Sequence, residues 1–256
     1  MDSIQPFLQT SIYGGHHVTG VTDEGPSQSL WGNCPIDIQD PHKGFGFFYN
    51  FTHVDQLDDN FTKTTGAGGT NLSVDVVGGS VQIVTAGTDN DYMSMVTPGE
   101  IFKFATGKEV WFEVRFKLAE ATTNESAIAF GFTDTLTTGG MQADALGPLA
   151  SYNGALIWKD EATMTTDFEV SNAATQATAD ASLATFVTDT WTKWGMHFDG
   201  VETMTPYIDG VAIVSQKQTV TLTGLAEMHA IMFVKAGGTA EAESLEIDWI
   251  ACYQRA

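Results

Sequence analysis

The sequence predicts an all-β fold, an antiparallel β-sandwich preceded by an extended, irregular N-terminal arm. Two observations predict the sandwich. From about residue 70 onward, short segments alternate apolar and polar side chains, and turns rich in glycine, asparagine and aspartate separate them. A third observation predicts the arm, because residues 1–60 hold four of the seven prolines and keep neither a strand period nor a helix period. We therefore divide the chain into an arm at 1–60 and a sandwich domain at 61–256.

The sandwich domain is predicted to begin with a hairpin. Residues 72–76 and 80–84 both alternate, and Gly78-Gly79 between them favours a tight turn. The clearest strand is 110–118, in which every second residue is Val, Phe or Leu. Further strands are predicted at 92–96, 127–133, 155–159, 168–171, 183–187, 191–198, 206–208, 211–215, 230–234 and 245–253.

Turn chemistry supports the later strands, since Asp199-Gly200 and Asp209-Gly210 each follow an alternating segment. One stretch lacks a clear pattern. Residues 172–184 are rich in Ala and Thr, and we expect a loop there, or a turn or two of helix, rather than a strand.

The arm carries two apolar groups that predict how it becomes ordered. Leu30-Trp31 and the aromatic run 45–49 are its expected anchors. A segment without internal backbone pairing has to satisfy its polar groups elsewhere. We therefore expect the arm to order against another surface, that of its own domain or of a neighbour.

Charge excludes two classes of partner. The chain has 11 Lys and Arg against 32 Asp and Glu, a formal net charge of −21. Nucleic-acid binding draws on clustered cations, so neither nucleic acid nor an anionic membrane is an expected partner. No apolar run is long enough for a membrane span, and the first residues do not resemble a signal peptide. Cys34 and Cys252 are expected to be free thiols.

Three short motifs resemble the concanavalin A-like and laminin-G-like jelly rolls. They are a Trp-led strand ending in Asp-Gly at 191–200, a Tyr-x-Asp-Gly hairpin at 206–211, and a closing strand at 245–253. The resemblance covers roughly residues 70 to 253. It implies a jelly-roll sandwich whose last strand runs beside the N-terminal one, and it says little about function.

The arm carries a second resemblance. Ser29–Pro35, followed by Gly44-Phe45 and further aromatics, resembles head proteins of tailed bacteriophages. This implies a capsid decoration protein that binds the major capsid protein on the outer surface of the virion head. It also implies a homo-oligomer, with a trimer favoured, and assembly in the host cytoplasm. The residues expected to bind the partner are Leu30, Trp31, Cys34, Pro35, Phe45, Phe47, Phe48 and Tyr49.

Catalytic residues are not predicted. Glycoside hydrolases of this fold need two carboxylates across the scissile bond. The nearest match, Glu246 and Asp248, has Ala251 where the second glutamate belongs, and Glu109 and Glu113 do not fit the spacing either. The histidines are scattered, so no zinc site is expected. They are His16, His17, His42, His53, His197 and His229.

Two binding chemistries remain open. Asp58-Asp59-Asn60 and 88–91 place oxygen ligands in loops, so calcium is a candidate cofactor, although no EF-hand loop occurs. Trp158, Trp191 and Trp194 are candidates for a sugar-binding platform, and each could instead fill the core. The alternative to capsid decoration is therefore a carbohydrate-binding module on a virion surface or tail, with a glycoside hydrolase as a third interpretation.

Overall fold

Two antiparallel sheets make up the protein. The structure, a computed structural model, describes residues 24–35, 42–51, 60–74, 79–120, 124–135, 141–142, 147–173, 175–238 and 241–256. Within these residues the sheets contain nine and seven strands, and the predicted all-β sandwich is confirmed. No helix in the described part of the chain is long and apolar enough to cross a membrane.

Short helices and sixteen strands follow one another along the described residues. A four-residue helix, α1 (Gln28–Trp31), precedes the strands, and a short 3-10 helix lies at Val214–Gln216. The strands are β1 (Gly44–Tyr49), β2 (Thr62–Thr65), β3 (Thr70–Val74), β4 (Ser80–Val84), β5 (Tyr92–Val96), β6 (Val110–Ala119), β7 (Ser126–Thr133), β8 (Tyr152–Lys159), β9 (Thr165–Ala173), β10 (Thr175–Thr185), β11 (Thr192–Phe198), β12 (Thr203–Ile208), β13 (Val211–Ala212), β14 (Gln218–Thr219), β15 (His229–Ala236) and β16 (Ser244–Arg255).

Strand order places the last strand at the centre of the larger sheet. That sheet runs β13-β12-β11-β6-β16-β4-β3, with β1 also paired to β16 and β14 to β12. The smaller sheet runs β10-β9-β8-β7-β15-β5-β2. Every pairing is antiparallel, as expected for a jelly roll whose alternating strands face a core on one side.

The core lies between the two sheets and is rich in aromatic side chains. Phe116 of β6 lies 4.4 Å from Phe130 of β7 and 4.8 Å from Trp194 of β11, measured between ring centroids. All three side chains are fully or almost fully buried. The alternation of β6 thus predicted its inward face correctly.

The N-terminal segment, residues 24–35, packs on the outer face of the larger sheet. Leu30, Trp31 and Cys34 are buried there, against Trp111, Trp249, Ala251 and Tyr253. Gly195 of β11 permits this approach, because a Cβ at that position would lie 2.7 Å from a methyl group of Leu30. The outer face of this sheet therefore has an apolar layer of its own, which explains why Trp111 is buried although it points away from the core.

Strand β1 lies beside the last strand of the larger sheet. Gly44 pairs with Arg255 and Tyr49 with Ile250, so the last strand runs beside the first one, as the jelly-roll resemblance implies. The sequence pattern favours an irregular arm at these residues, whereas the structure has them as a strand. The difference arises because β16 supplies a hydrogen-bonding edge that local sequence does not reveal.

The loop expected at residues 172–184 is wrong. The structure has a strand there, β10, which pairs with β9 from Thr175 opposite Asn172 to Thr185 opposite Thr165. Ala is depleted in strands and the stretch has no alternation of large apolar residues, so the strand depends on pairing with the backbone of β9. The short strands β2 and β14 were also not predicted.

Candidate functional site

The outer face of the smaller sheet is the candidate site, and the strand register shows which side chains share it. One row across the sheet runs from Ser94 through Phe233, Ala129 and Trp158 to Asp167. The next row contains Val96, Ile231, Gly131, Leu156 and Glu169. Neighbouring positions within a row are about 5 Å apart. The face is thus apolar at its centre and acidic at the β9 side.

Strand β7 forms a strip of small residues through the middle of this face. Ala127, Ala129 and Gly131 lie along it. Larger side chains stand on both sides, with Phe233 and Ile231 on β15 and Trp158 and Leu156 on β8. Apart from the partly exposed Trp158, the strip and these neighbours are fully or almost fully buried, so the centre of this face is covered in the folded chain and its open part lies at Trp158.

Residues 141–142 and 147–148, paired with each other and called the hairpin below, lie over part of this strip. Met141 pairs with Pro148, the Gln142 amide donates to the Gly147 carbonyl at 2.8 Å, and Met141 packs into the apolar layer. Gly147 has a φ of +69°, and a Cβ there would lie 2.8 Å from the Trp158 ring. The backbone of this hairpin therefore rests against part of the indole, while the remainder of Trp158 is partly exposed.

The hairpin is held to the sheet by Lys235 of β15. The Lys235 ammonium donates to the Gln142 carbonyl at 2.8 Å and to Asn90 Oδ1 at 3.2 Å, and it pairs with the Glu161 carboxylate at 3.2 Å. Lys235 is only 4% exposed. The ammonium thus sits among three oxygens at the edge of the candidate site.

Three polar groups are buried on the β8–β9 side of this face. The Tyr152 hydroxyl lies beside the Glu169 carboxylate without making a well-directed hydrogen bond to it. Glu169 Oε1 and Trp158 Nε1 are also buried and have no hydrogen-bond partner among the described residues. Buried polar atoms in native proteins are nearly always paired, with protein, water or ligand. These groups therefore mark two positions on this face, at Tyr152 with Glu169 and at Trp158, where a polar ligand or ordered water would be stabilised.

Burial dominates the electrostatics of this cluster. It raises the pKa of the Tyr152 hydroxyl well above its ordinary value, and the nearby Glu169 charge raises it further. Burial also raises the pKa of the Glu169 carboxyl, while its interaction with Tyr152 opposes that shift. Both groups are held away from water, so hydrogen bonds made to them there are stronger than in bulk solvent.

The three tryptophans predicted as sugar platforms lie in three different environments. Trp194 is 1% exposed and fills the core. Trp191 lies by the outer side of the larger sheet, where Arg115 stands 4.5 Å and Lys117 5.0 Å from its ring centroid. Only Trp158 lies on the face that also carries Tyr152 and Glu169, and its own Nε1 is buried without a hydrogen-bond partner among the described residues. The sequence pattern did not separate the three, because all of them occur in or next to strands.

The residues predicted to bind a partner divide into two groups. Leu30, Trp31 and Cys34 are buried against their own sheet, so for them the surface that orders the arm is that of its own domain. Pro35 is exposed, and Phe45 is 36% exposed. The remaining three, Phe47, Phe48 and Tyr49, are partly buried in β1. Contact of any of these residues with another protein stays a prediction.

The acidic residues considered for hydrolysis or calcium have other partners. Glu246 pairs with Lys117 at 2.8 Å and Asp248 with Arg115, on the outer face of the larger sheet. The Asp91 carboxylate accepts the backbone N–H groups of Ala67 and Ala86. In the described ranges, no group of three or more His, Cys, Asp or Glu could hold a metal. Asp58, Asp59, His16, His17 and His53 lie outside those ranges.

The histidines and cysteines within the described residues show no reactive arrangement. His197 stacks on Trp111 at 4.8 Å, and burial lowers its pKa. His229 Nδ1 lies 2.6 Å from the Thr97 carbonyl, and His42 is exposed. Cys34 and Cys252 are free, as predicted, and both are buried. Burial raises the pKa of both thiols, which disfavours the reactive thiolate.

Comparison with known proteins identifies the fold. No family model matches the chain, and no curated protein does either. Among solved structures, a protein of unknown function from Shewanella oneidensis MR-1 is similar with a TM-score of 0.57 at 16% identity, covering 84% of this chain and 87% of that one. Peanut lectin is similar with a TM-score of 0.56 at 12% identity, covering 83% of this chain and 97% of the lectin.

A third similar structure is the carbohydrate recognition domain of Emp46p in its potassium-bound form. Its TM-score is 0.52 at 12% identity, covering 80% of this chain and 94% of that domain. At such identities the likeness concerns the fold. The chain is thus a lectin-like jelly-roll β-sandwich, as the motifs at 191–200, 206–211 and 245–253 implied.

Proposed function

We propose that the protein is a carbohydrate-binding module whose site is the outer face of the smaller sheet around Trp158. The observation that carries this proposal is the partly exposed Trp158 indole, whose Nε1 is buried without a hydrogen-bond partner among the described residues, on the face that presents Asp167 opposite it and Glu169 one row further on. The fold shared with peanut lectin and with the Emp46p carbohydrate recognition domain supports the proposal.

The chemistry of this face matches that of a sugar. A pyranose ring offers an apolar C–H face and a rim of hydroxyl groups, so it binds best where an aromatic ring lies beside fixed hydrogen-bonding groups. Trp158 provides the ring. Asp167, opposite it on β9, and Glu169, one row further on, provide carboxylate acceptors for hydroxyl donors. A bound hydroxyl would satisfy the Glu169 oxygen that has no partner among the described residues.

We propose binding rather than cleavage. The carboxylates that come nearest to a hydrolase motif, Glu246 and Asp248, lie on the other sheet, and each already forms an ion pair. A general acid and a nucleophile need a shared cleft of about 5 to 10 Å between carboxyl groups that are free to act. Incubation with any glycan that the protein binds should therefore release no reducing sugar.

A glycan array, followed by affinity electrophoresis with the retained glycans, tests the proposal. Wild-type protein should bind at least one glycan class, and Trp158→Ala should weaken that binding at least tenfold. Trp191→Ala is the matched control, because it removes an indole from the larger sheet and should change binding less than twofold. Binding that survives Trp158→Ala, or an array without any retained glycan, would contradict the proposal.

Capsid decoration is the second candidate function, and the exposure of Phe45 favours it. Phe45 is 36% exposed on β1, and no strand in the described part of the chain pairs with the side of β1 that faces away from β16. A phenylalanine at a free sheet edge suits docking on another protein. Under this proposal the major capsid protein is the partner, the protein is a trimer, and its location is the outer surface of the virion.

Co-sedimentation with capsid shells tests this second candidate. Wild-type protein should sediment with the shells in a fixed ratio, and Phe45→Ser should reduce the bound fraction. Val211→Ser, which changes another exposed apolar residue elsewhere on the larger sheet, is the control. Equal binding by both variants would exclude the β1 edge as the docking surface.

A further inference from the structure

The distribution of cations indicates which glycans the candidate site accepts. Resting on the proposed function, we infer that the site takes glycans without acidic groups and discriminates against those that carry carboxylate, sulfate or phosphate. The basic side chains near the site already have protein partners, whereas the same face presents carboxylate acceptors.

Few cations lie on the smaller sheet. Of the chain's 11 lysines and arginines, its strands carry three, Lys63, Lys159 and Lys235. All 11 fall within the described residues, so none is hidden in the remainder of the chain. Lys63 lies opposite Met95 in the strand register, and the Met95 side chain is part of the core. Position 63 is therefore on the inner side of the sheet and not on its outer face.

The two buried lysines are already bound by protein oxygens. The Lys159 ammonium donates to Glu120 Oε1 at 2.8 Å and to the carbonyls of Ser126 and Asp160 at 2.8 and 2.9 Å. Lys235 likewise lies among three oxygens, those of Asn90, Gln142 and Glu161. An ammonium group has three N–H donors, so Lys159 is saturated by the protein, whereas Lys235 is 4% exposed and held by two hydrogen bonds and an ion pair.

Histidine does not provide the missing cation either. His229 lies at the end of β15 on the outer face, but Nδ1 contacts the Thr97 carbonyl at 2.6 Å and Nε2 lies 3.9 Å from Glu100. His229 is only 6% exposed, so its ring is largely out of reach of a ligand. No other basic group lies on the strands of this face in the described ranges.

The same face offers acceptors and negative charge. Asp167 and Glu169 follow each other on the outward side of β9, and Glu161 lies next to Lys235. An acidic substituent brought beside these carboxylates would be repelled and would lose its water without gaining a cationic partner. A hydroxyl or an amine would instead donate to the unpaired Glu169 oxygen. The site is therefore built for ligands that donate hydrogen bonds.

Matched glycan pairs test this inference directly. Each pair shares one backbone and differs by one acidic group: neutral and sialylated, neutral and sulfated, neutral and uronate-containing. We expect the acidic member of every bound pair to bind at least tenfold more weakly in 0.15 M salt. The Debye length there is about 8 Å, so the remote charge of the chain is largely screened.

Variants separate the local charge from the net charge. Asp167→Asn should narrow the preference for the neutral member to less than threefold. Glu202→Gln, an exposed position in the turn between β11 and β12, changes the net charge by the same amount and should leave the preference unchanged. Glu169→Gln, if it folds as judged by circular dichroism, should act as Asp167→Asn does.

The outcomes distinguish this inference from the proposed function. If wild-type protein binds glycans but holds the acidic members equally or more tightly, the inference is overturned and carbohydrate binding stands. If Asp167→Asn and Glu202→Gln weaken the preference alike, overall charge causes it, and the inference is also overturned. If no glycan binds at all, both the proposed function and the inference fail.

Discussion

Replacing Glu113 should detach the N-terminal segment from the larger sheet. Glu113 lies on the outer face of β6 and is fully buried beneath residues 24–35. Its Oε2 accepts the backbone N–H of Ser27 at 2.9 Å and the indole N–H of Trp31 at 2.8 Å. One carboxylate oxygen thus provides two of the polar contacts that hold the segment in place.

The magnitude follows from these two hydrogen bonds. Glu113→Ala leaves both donors buried without an acceptor, at about 1–3 kcal/mol for each. The carboxylate no longer has to be desolvated, and this offsets part of the loss, because its Oε1 has no partner among the described residues. We expect the free energy of unfolding to fall by about 2–4 kcal/mol. Glu113→Gln keeps an acceptor oxygen and should lose less than half of that.

Cys34 provides a local assay for the detachment. It is 7% exposed within the segment, and burial raises the pKa of its thiol, so a thiol reagent should modify it slowly in the native protein. Glu113→Ala should accelerate modification of Cys34 at least tenfold in native buffer, with Cys252 in the core unaffected. Urea denaturation of the same variants gives the change in stability.

Two results would refute this reasoning. The first is a Glu113→Ala protein whose stability lies within about 0.5 kcal/mol of wild type, the scatter typical of surface substitutions. The second is an unchanged rate of Cys34 modification in that variant. Glu202→Ala serves as the control, because it removes an exposed carboxylate from a turn of the same sheet and leaves the buried contacts intact.

Three further predictions concern pH, packing and a buried ion pair. Burial raises the pKa of Glu113 in the folded protein. The stability that protonated Glu113 contributes is therefore fully present below the ordinary carboxyl pKa and is lost as pH rises through the raised pKa. Urea denaturation at several pH values should show the stability of Glu113→Gln increasing relative to that of wild type as pH rises. Gly131→Ala places a Cβ 2.2 Å from the Ala155 carbonyl oxygen at a φ of +141°, and thermal denaturation should show a loss of at least about 2 kcal/mol or no folded protein. Lys159→Met leaves the buried Glu120 carboxylate without its ion partner and should lower the free energy of unfolding by about 3–5 kcal/mol, measured by urea denaturation. Adding Glu120→Gln should restore part of this loss. Equal stability of the single and double variants would contradict the role of Lys159 as the partner of Glu120.

The sequence predicted the sandwich well where strands carry a one-sided pattern. Strand β6 is such a case, because its alternating Val, Phe and Leu residues face the core. Prediction was poorer where pairing, rather than side-chain pattern, creates the strand. Strand β10 is rich in Ala and Thr and depends on its pairing with β9. Strand β1 lies in a proline-containing region and depends on its pairing with β16, which is distant in the sequence.

The candidate site could be predicted only in part. Trp158 was one of three tryptophans considered, and its alternation within β8 does not tell which face of a two-sided apolar strand it occupies. Tyr152 and Glu169 come together across β8 and β9, and neither belongs to a short motif. Likewise, burial of Leu30 and Trp31 depends on an apolar outer face of the larger sheet, which the alternation rule assigns to solvent.

The central place of the last strand has a consequence for biosynthesis. Strand β16 bridges β6 on one side and both β4 and β1 on the other. Until the ribosome has made residues 244–255, the larger sheet is split into two halves with exposed edges, and β1 has no strand to join. The pairs β3–β4 and β6–β11–β12 can form earlier, but the larger sheet becomes continuous only when β16 joins them.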